Sequence, residues 1–370
     1  MKAKDITFKI EEMYPLSLAQ GWDNVGFLVG DPQKDIENIL LTIDITNDVL
    51  AEAIRLKTDL ILSYHPVIWD GLKKVIAEGP THVVYELIRS GIAVFSIHTA
   101  LDSAVDGVND GLAEMIGIVG GKPIGDYVGH PGGGNYKLVV FVPIEFVADV
   151  SNAIFAAGAG AIGNYSKCSF SAEGTGTFLP QKGAKPAIGK KGKLEQVAEM
   201  RFETIVPADK LDAVVAAMRK AHPYETPAFD IFKIYGTEGP FGLGRIGELT
   251  RPLHVAQIVK KIKEATGAKA MGLIGDEGRL VKRAAVCAGS CGEILNQVIA
   301  AKVDLYLTGE LKHHQALAAQ EAGLTCICLS HTVSERFMLK KVAQQLHKHV
   351  NGIKIRISKK DADPFKWKKI

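Results

Sequence analysis

The sequence predicts an α/β protein in which a smaller α+β domain interrupts a duplicated outer domain. Its 370 residues exceed the size at which a single hydrophobic core usually stops growing. Hydrophobic residues make up 47% and charged residues 23%, which is typical of globular chains rather than of disordered or fibrous ones. Residues 39–65 and 284–310 align without a gap. The segment between them has a different order of predicted strands and helices from the one that these two segments share. These observations predict two related halves separated by an inserted domain.

Composition also limits the classes of partner. The 44 Lys and Arg against 41 Asp and Glu give a net charge of +3, which is too small to indicate a nucleic-acid partner. No apolar run is long enough to cross a bilayer, and residues 1–5 lack the apolar segment of a signal peptide, so we expect no membrane partner and a cytoplasmic location. The five cysteines show no paired Cys-x-x-Cys spacing, which favours reduced thiols over a disulfide frame or a cysteine zinc site.

The first half of the outer domain, residues 1–130, is predicted as an alternation of helices and strands. Apolar periodicity indicates helix 6–13, strand 39–43, helix 47–56, strand 58–63, helix 81–90 and strand 92–97. His65 follows the second of these strands, and His98 and Asp102 follow the third. Open α/β sheets bind ligands beyond the carboxyl ends of their strands, so these three are candidate site residues. Asp102 is also a candidate N-cap of the next helix, and both roles are compatible.

A turn-rich segment, Gly21–Gly30, precedes the first of these strands. Asp23 and Asn24 lie between its glycines, and we assign them as candidate substrate-binding residues. An Asx turn would use the same side chains locally without any ligand. Both interpretations stay open from the sequence.

Residues 131–237 are predicted as the inserted domain. The glycine-rich segment Val128–Gly134 marks its beginning. The pattern then indicates strand 138–142, helix 146–157, strands 166–172 and 194–205, helix 209–221 and strand 228–234. This β-α-β-β-α-β order is the ferredoxin-like order.

The second half of the outer domain, residues 238–370, begins with a predicted helix from Leu253 to Thr266. The repeat then appears at a constant offset of 245, with identical pairs such as Asp59 and Asp304. Both copies lead to a histidine followed four positions later by a carboxylate, His98–Asp102 and His331–Glu335. Because His65 corresponds to Glu310 in this register, we expect all of these side chains to meet where the halves join.

Imidazole nitrogens with carboxylate oxygens and no thiolate suit Zn, Fe, Mn, Co or Ni. Three protein ligands with open positions lower the pKa of a bound water toward ~7, which is the arrangement for metal-assisted hydrolysis. Two alternatives remain. Thr332–Glu335 has the pattern of a helix capping box, and His314, beside His313, is either a proton-transfer group or part of a surface pair.

Several motifs together resemble the GTP cyclohydrolase 1 type 2 homologues, also called the NIF-three-like family, over nearly the whole chain. They are Trp22–Gly26, Tyr64–Pro66, His98–Asp102 with Gly107–Asn109, Thr308–Glu310, His314, His331 with Glu335, and Asp363–Phe365. The insert, with Gly174–Phe178 and His222–Pro227, resembles the PII and CutA-like trimeric module of the family's long members.

The resemblance implies a centre of two divalent ions, Zn, Fe or Mn, with ligands at His65, Asp102, His331 and Glu335. We assign His98, His314 and Glu310 as candidate catalytic residues, with His98 or His314 moving protons. Tyr64 stands where the fullest sites of the family have another histidine, so the second ion lacks a ligand. The family also implies a homohexameric ring built from trimers.

The function that follows is a metal-dependent cyclohydrolase that opens the purine ring of GTP to formate and dihydroneopterin triphosphate. Its expected partner is a small-molecule substrate such as a nucleotide. The alternative is a non-catalytic metal-binding regulatory or scaffold ring whose insert senses a small molecule. A ring that encircles DNA finds little support in the net charge of +3.

Overall fold

The computed structural model describes residues 1–125, 135–162, 165–234 and 240–366. The chain divides into two compact units, of which the first combines Met1–Val128 with Glu238–Ile370 and the second is Gly129–Thr237. The predicted glycine-rich boundary, Val128–Gly134, lies outside the described residues. No helix in the described ranges has the length and apolar character needed to cross a membrane.

The N-terminal part of the first unit alternates helices and strands. Its elements are α1 (Ala3–Met13), β1 (Gly26–Val29), β2 (Asn38–Thr42), α2 (Asn47–Arg55), β3 (Leu60–Ser63), α3 (His82–Arg89), β4 (Ala93–Ser96), α4 (His98–Ser103), α5 (Val108–Ile116) and β5 (Ile118–Lys122). The predicted strand-helix-strand unit is confirmed to within two residues at each boundary. Strands β3 and β4 are buried at every position, as continuous apolar runs in parallel sheets are.

The second unit contains four antiparallel strands and two longer helices. Its elements are β6 (Asn135–Pro143), α6 (Val147–Ala156), β7 (Ser169–Phe178), β8 (Glu195–Pro207), α7 (Leu211–Ala221) and β9 (Phe229–Ile234). The strands lie in the order β7-β8-β6-β9. A buried apolar cluster that includes Val140, Ile154 and Val214 joins the sheet to both helices.

The C-terminal part of the first unit repeats the alternation. Its elements are β10 (Arg245–His254), α8 (Val255–Thr266), β11 (Gly272–Ile274), β12 (Leu280–Cys287), α9 (Leu295–Ala300), β13 (Leu305–Thr308), α10 (His313–Glu321), β14 (Thr325–Cys328), α11 (His331–Arg336), α12 (Met338–His349) and β15 (Lys354–Ile357). The helix predicted from Leu253 begins at Val255, because Leu253 and His254 pair with β12 as the end of β10.

The first unit contains two sheets with the same central order. They run β1-β4-β3-β2-β15 and β11-β14-β13-β12-β10-β5. In each sheet the three central strands are parallel and the first strand is antiparallel. Strands β3 and β13 coincide residue for residue at the offset of 245. The last strand of each half lies in the sheet of the other half, β5 beside β10 and β15 beside β2.

The turns repeat as closely as the strands. Lys57 and Lys302 both adopt a left-handed backbone conformation, with φ of 53° and 51°. Two residues later, Asp59 accepts hydrogen bonds from two backbone amides at the start of β2, and Asp304 does the same for two amides of β12. The sequence repeat is therefore a repeat of local geometry.

One apolar cluster joins the two halves. It contains buried residues of α1, α5, α8 and α12 together with one face of each sheet. Leu41 and Val286 belong to this shared cluster, whereas their neighbours Leu40 and Ala285 point into separate outer clusters, as the alternation of strand side chains requires. This packing fixes the carboxyl ends of the parallel strands relative to one another.

Candidate metal centre

The candidate site residues follow the carboxyl ends of four parallel strands. His65 lies two residues after β3, His98 two after β4, Glu310 two after β13 and His331 three after β14. The symmetrical sheets bring these ends together, as the repeat predicts.

Three side chains form a potential ligand set: His65, His331 and Glu335. Their ligand atoms all lie within 4.8 Å of one another. His331 Nε2 is 3.1 Å from Glu335 Oε1, and His65 Nε2 is 3.6 Å from Glu335 Oε2. His331 and Glu335 are one turn apart on α11, so their side chains share a helix face. Two imidazoles and one carboxylate suit a divalent transition metal with open coordination positions.

The carboxylate of Glu335 provides a test of whether a cation fits here. Glu335 is 2% exposed, and its Oε2 has no hydrogen-bond partner among the described residues. An unpaired buried carboxylate oxygen is costly unless a cation or a donor neutralises it. Gly289 has a φ of +68°, and a Cβ at this position would lie 2.8 Å from Glu335 Oε1. The glycine leaves room for the carboxylate, and a metal ion would satisfy the free oxygen.

Each histidine of the site is held by a carboxylate at Nδ1. The pairs are His65 with Asp44, His98 with Asp23 and His331 with Glu310, each at 2.9 Å. Such a contact fixes the ring and leaves Nε2 to serve as the ligand atom, as in many metal sites. The sequence analysis missed Asp44, although it lies two residues beyond β2 and so had the same strand-end position as the other candidates.

The pKa values of the two ligand histidines reflect their acidic neighbours. The hydrogen bond that His331 donates to Glu335 raises the pKa of His331 to about 10, although burial opposes the shift and Glu310 adds to it. Burial lowers the pKa of His65, but the hydrogen bond with Asp44 and the charge of Glu335 outweigh it, so the pKa lies above its usual value. Without a bound cation the His331 imidazole therefore holds a proton at neutral pH, which a metal ion would displace.

Asp102 lies beside His65, His331 and Glu335, which we call the triad, and its carboxyl group is partly protonated near neutral pH. Burial raises the pKa of its carboxyl group to about 7, against the opposing effects of His98 and a hydrogen bond from Tyr64. The Tyr64 hydroxyl donates to Asp102 Oδ1. Tyr64 is 2% exposed, and burial together with the charges of Asp102 and Glu335 raises the pKa of the phenol well above its usual value. The phenol is therefore neutral and occupies one oxygen of the carboxyl group.

Both capping interpretations are wrong. Helix α4 begins at His98 directly after β4 and contains Asp102, while α5 begins later, at Val108. Helix α11 begins at His331, so Glu335 lies beyond the third helical position that a capping box requires. Helix α4 starts five residues and α11 two residues earlier than the cap patterns indicate, so both carboxylates lie within their helices.

The two predicted substrate-binding residues are engaged within the protein. The side chain of Asp23 is 0% exposed and accepts hydrogen bonds from His98 Nδ1 and from the amide and hydroxyl of Thr99. Burial raises the pKa of Asp23, but the hydrogen bonds from His98 and Thr99 outweigh it, so the pKa lies below its usual value. Asn24 donates through its amide group to the carbonyl of Ile68 and through its backbone to Asp23.

His314 is the site candidate that lies apart from the others. It is exposed on α10, with its ring 5.5 Å from that of His313. In the described part of the chain it does not line the cavity at the triad. Glu310 reaches the site through its contact with His331.

A cavity of about 530 Å³ opens at the triad. Its walls include His65, His98, Asp102, His331 and Glu335. Trp22 and Trp69, which are 66% and 51% exposed, also line it. The ring of Trp69 lies 5.3 Å from that of His98 and 5.9 Å from that of His65. A cavity of this size, with aromatic walls and a few convergent polar groups, is typical of small-molecule sites.

Comparison with known proteins agrees with this fold. Residues 1–364 match the family model described as Duf34/NIF3 (NGG1p interacting factor 3). The chain is 38% identical over 366 residues to a GTP cyclohydrolase 1 type 2 homolog of Mycobacterium leprae, covering 98% of this chain and 94% of that protein. It is 36% identical over 360 residues to one of Bacillus subtilis, covering 96% and 95%.

Solved structures show the same similarity. The crystal structure of a Bacillus cereus protein related to NIF3 covers 99% of both chains at 34% identity, with a TM-score of 0.71. That of a Staphylococcus aureus protein covers 99% of both chains at 26% identity, with a TM-score of 0.75. The chain therefore belongs to the Duf34/NIF3 family, and its relatives include the GTP cyclohydrolase 1 type 2 homologs.

Proposed function

We propose that the protein is a metal-dependent hydrolase that opens the purine ring of GTP or a related nucleotide. The observation that carries this proposal is the buried Glu335 carboxylate between two imidazoles, with an Oε2 that accepts no hydrogen bond within the described residues, at a cavity large enough for a small molecule. The names of the relatives point to the same reaction class. The expected partner is a small-molecule substrate, and the charge of +3 does not favour nucleic acid.

The proposed ligands of the first ion, Zn, Fe or Mn, are His65, His331 and Glu335. Such an ion supplies Lewis-acid chemistry and a water whose pKa is lowered toward ~7. A second ion would need Asp102, as the family resemblance implies. Because the Tyr64 hydroxyl already occupies Asp102 Oδ1, we expect the second ion to be held more weakly than the first.

The other residues of the cavity have distinct tasks in this proposal. The rings of Trp22 and Trp69 present flat apolar surfaces that suit a purine base and shield the site from water. Asp102, with its pKa raised to about 7, can accept and return a proton near neutral pH. His98, fixed by Asp23, is the second proton carrier. His314 lies outside the cavity walls, so we assign proton transfer to His98 and Asp102.

Two further expectations concern the whole molecule. We propose that residues 131–237 form a ferredoxin-like domain similar to PII and CutA modules, which the strand order β7-β8-β6-β9 supports. By resemblance to the family, we propose a homohexamer in the cytoplasm. Light scattering of the purified protein would test the assembly, since six chains of 39.8 kDa are readily distinguished from one.

The test of function is formate release from GTP by metal-loaded protein, with the bound metal counted in the same sample. We expect His331→Ala and Asp102→Ala to lose the activity, and His313→Ala, which changes an exposed histidine, to retain it. Equal formate release by wild type and both site variants would contradict the proposal. So would an absence of release from wild type with metal fully bound.

The second candidate function is a non-catalytic metal-binding regulatory or scaffold protein. The hydrogen bond from Tyr64 to Asp102 favours it, because a carboxyl group held by a neutral phenol is less available as a ligand. Full metal occupancy without turnover of GTP or other purine nucleotides is the result expected for this candidate.

A further inference from the structure

The second unit contains a cavity of its own, remote in sequence from the metal-binding residues. Its volume is about 620 Å³, and it is lined by β7, by the segment that follows β7, and by residues 224–226. Most of the lining surface is apolar, and three aromatic rings contribute to it: Phe141, Phe178 and Tyr224. The volume is that of a site for a small organic molecule.

Glu199 is the buried acidic group of this cavity. It lies on β8 and is 8% exposed. Its Oε1 accepts a hydrogen bond of 3.0 Å from the Tyr224 hydroxyl. Within residues 135–162 and 165–234, no donor contacts Oε2 and no lysine or arginine pairs with this carboxylate. A buried carboxylate without a cation is unfavourable. A positively charged ligand group beside Glu199 would therefore be stabilised in this cavity.

Two basic groups of this sheet, one on β6 and one on β8, are already paired with another acid. Lys137 and Arg201 both contact Glu203, at 3.2 and 2.5 Å. Lys185 lines the cavity rim, but it is exposed, and its backbone amide is bound by Glu225 at 2.9 Å. Solvent screens the charge of an exposed ammonium group.

His222 does not supply the missing charge. Its Nδ1 accepts a hydrogen bond from the Tyr224 amide, so Nε2 carries the proton and donates to the carbonyl of Phe141. With both nitrogens engaged in this way the ring is neutral, and burial lowers its pKa. His222 therefore positions Tyr224 and leaves Glu199 without a counter-ion.

The sequence of β7 makes space for the carboxylate. A Cβ at Gly176 would collide with the carboxyl group of Glu199. Any other residue here would displace the acid from its position beside Tyr224. The Phe178 and Tyr224 rings, 5.6 Å apart in an edge-to-face arrangement, complete a wall that suits a flat ligand.

We propose that this cavity binds a small organic cation, with an amine or amidine group on Glu199 and a flat apolar body against the wall formed by the Phe178 and Tyr224 rings. The charged nitrogen would donate to Glu199 Oε2 and gain further attraction from the aromatic faces. This site is independent of the metal centre and of the proposed hydrolase activity.

The test is calorimetric titration of the full-length, metal-loaded protein with benzamidine, benzamide and benzoate. The three probes share a ring and differ in charge. We expect benzamidine to bind in the millimolar range or tighter, benzamide roughly tenfold more weakly, and benzoate not at all. Benzoate binding as tight as benzamidine would overturn the proposal and point to the lysines of the rim instead. Equal binding of benzamide, or no binding of benzamidine at millimolar concentration, would also overturn it.

Two variants locate the binding. Glu199→Gln keeps the acceptor for Tyr224 and removes the charge, so we expect it to lower benzamidine affinity roughly tenfold or more. Glu203→Gln, on the same strand but outside the cavity lining, should leave the affinity unchanged. Ala187→Trp, on the exposed segment over the cavity, should block binding without disturbing the core, and it serves as the test if Glu199→Gln does not fold. Unchanged benzamidine affinity in Glu199→Gln or Ala187→Trp contradicts the proposal.

Discussion

Two segments of the first unit, His98–Asp102 and His331–Glu335, each place a carboxyl group four residues after a histidine that follows a strand; we call them corners. The two carboxyl groups differ in their contacts and in their protonation. In the His331–Glu335 corner the carboxylate contacts both candidate ligand imidazoles, and its Oε2 accepts no hydrogen bond within the described residues. In the other corner, Asp102 accepts a hydrogen bond from a neutral phenol, and burial raises its pKa to about 7. The first carboxylate is ready for a cation, whereas the second is partly protonated.

One register position accounts for much of this difference. At the offset of 245, Tyr64 corresponds to Gly309. The tyrosine donates a hydrogen bond through its hydroxyl to Asp102. At the corresponding position, Gly309 packs directly against the backbone of Gly289, and a Cβ there would lie 2.5 Å from the Gly289 carbonyl oxygen. Two repeats of one fold can therefore differ in metal-binding capacity through a single side chain beside a strand end.

Removing the carboxylate from each corner in turn should have the largest effect on Zn affinity, and the two losses should differ. We expect Glu335→Gln to lower the affinity for Zn by roughly a hundredfold or more, because it removes a charged ligand of the triad. Asp102→Asn should lower it by less than about tenfold. Competition with a chromogenic chelator measures both affinities. Equal losses in the two variants would mean that the corners contribute alike.

Replacing the tyrosine should make the corners more similar. We expect Tyr64→His to add about one bound ion per chain, because it supplies an imidazole ligand where a neutral phenol now stands. Metal analysis after dialysis measures the gain, and Tyr64→Phe, which removes the hydroxyl without adding a ligand, is the matched control. If Tyr64→His binds no more metal than wild type, the site never lacked that ligand.

The raised pKa of Asp102 predicts how the stability of the metal-free protein depends on pH. The pKa of Asp102 is higher in the folded state than the unfolded value of about 3.8. The stabilising contribution of its protonated carboxyl group to the free energy of unfolding is therefore fully present below about pH 4 and is lost as the pH rises through about 7. The side chain in Asp102→Asn cannot ionise, so the variant does not lose this stability as the pH rises. At pH 8 we expect the metal-free variant to be more stable than wild type by up to about 4 kcal/mol, measured by urea unfolding. Parallel stability curves for the two proteins would contradict the assigned pKa.

The smallest expected effect concerns the carboxylates that hold the ligand histidines. Asp44→Asn in the first half and Glu310→Gln in the second should each weaken Zn binding by about tenfold, since both replace the charged partner of a ligand's Nδ1. Asp48→Asn, an exposed change in the first turn of α2, is the control. A loss in only one of the two variants would show that a single half holds the ion.

The sequence pointed to the candidate metal ligands because each follows a strand end and the repeat relates the two halves. It did not reveal the contact between Tyr64 and Asp102, which depends on how two strand ends approach across the sheet. The cap assignments failed because a carboxylate near a helix start has the same pattern whether the helix begins before or after it. Strand β10 was missed because Gly247 and Pro252 interrupt the apolar alternation on which a strand prediction rests.

The exchange of last strands between the two halves also has a consequence for how the chain folds. Strand β2 gains its outer neighbour only from residues 354–357, near the end of the chain. Glu52 on α2 then binds the hydroxyl of Ser358 and the amides of the two residues that follow. During synthesis the edge of the first sheet at β2 therefore stays exposed until residues 354–357 have left the ribosome. Pairings between such distant segments fold slowly, so truncation near the C-terminus should impair the half that is made first.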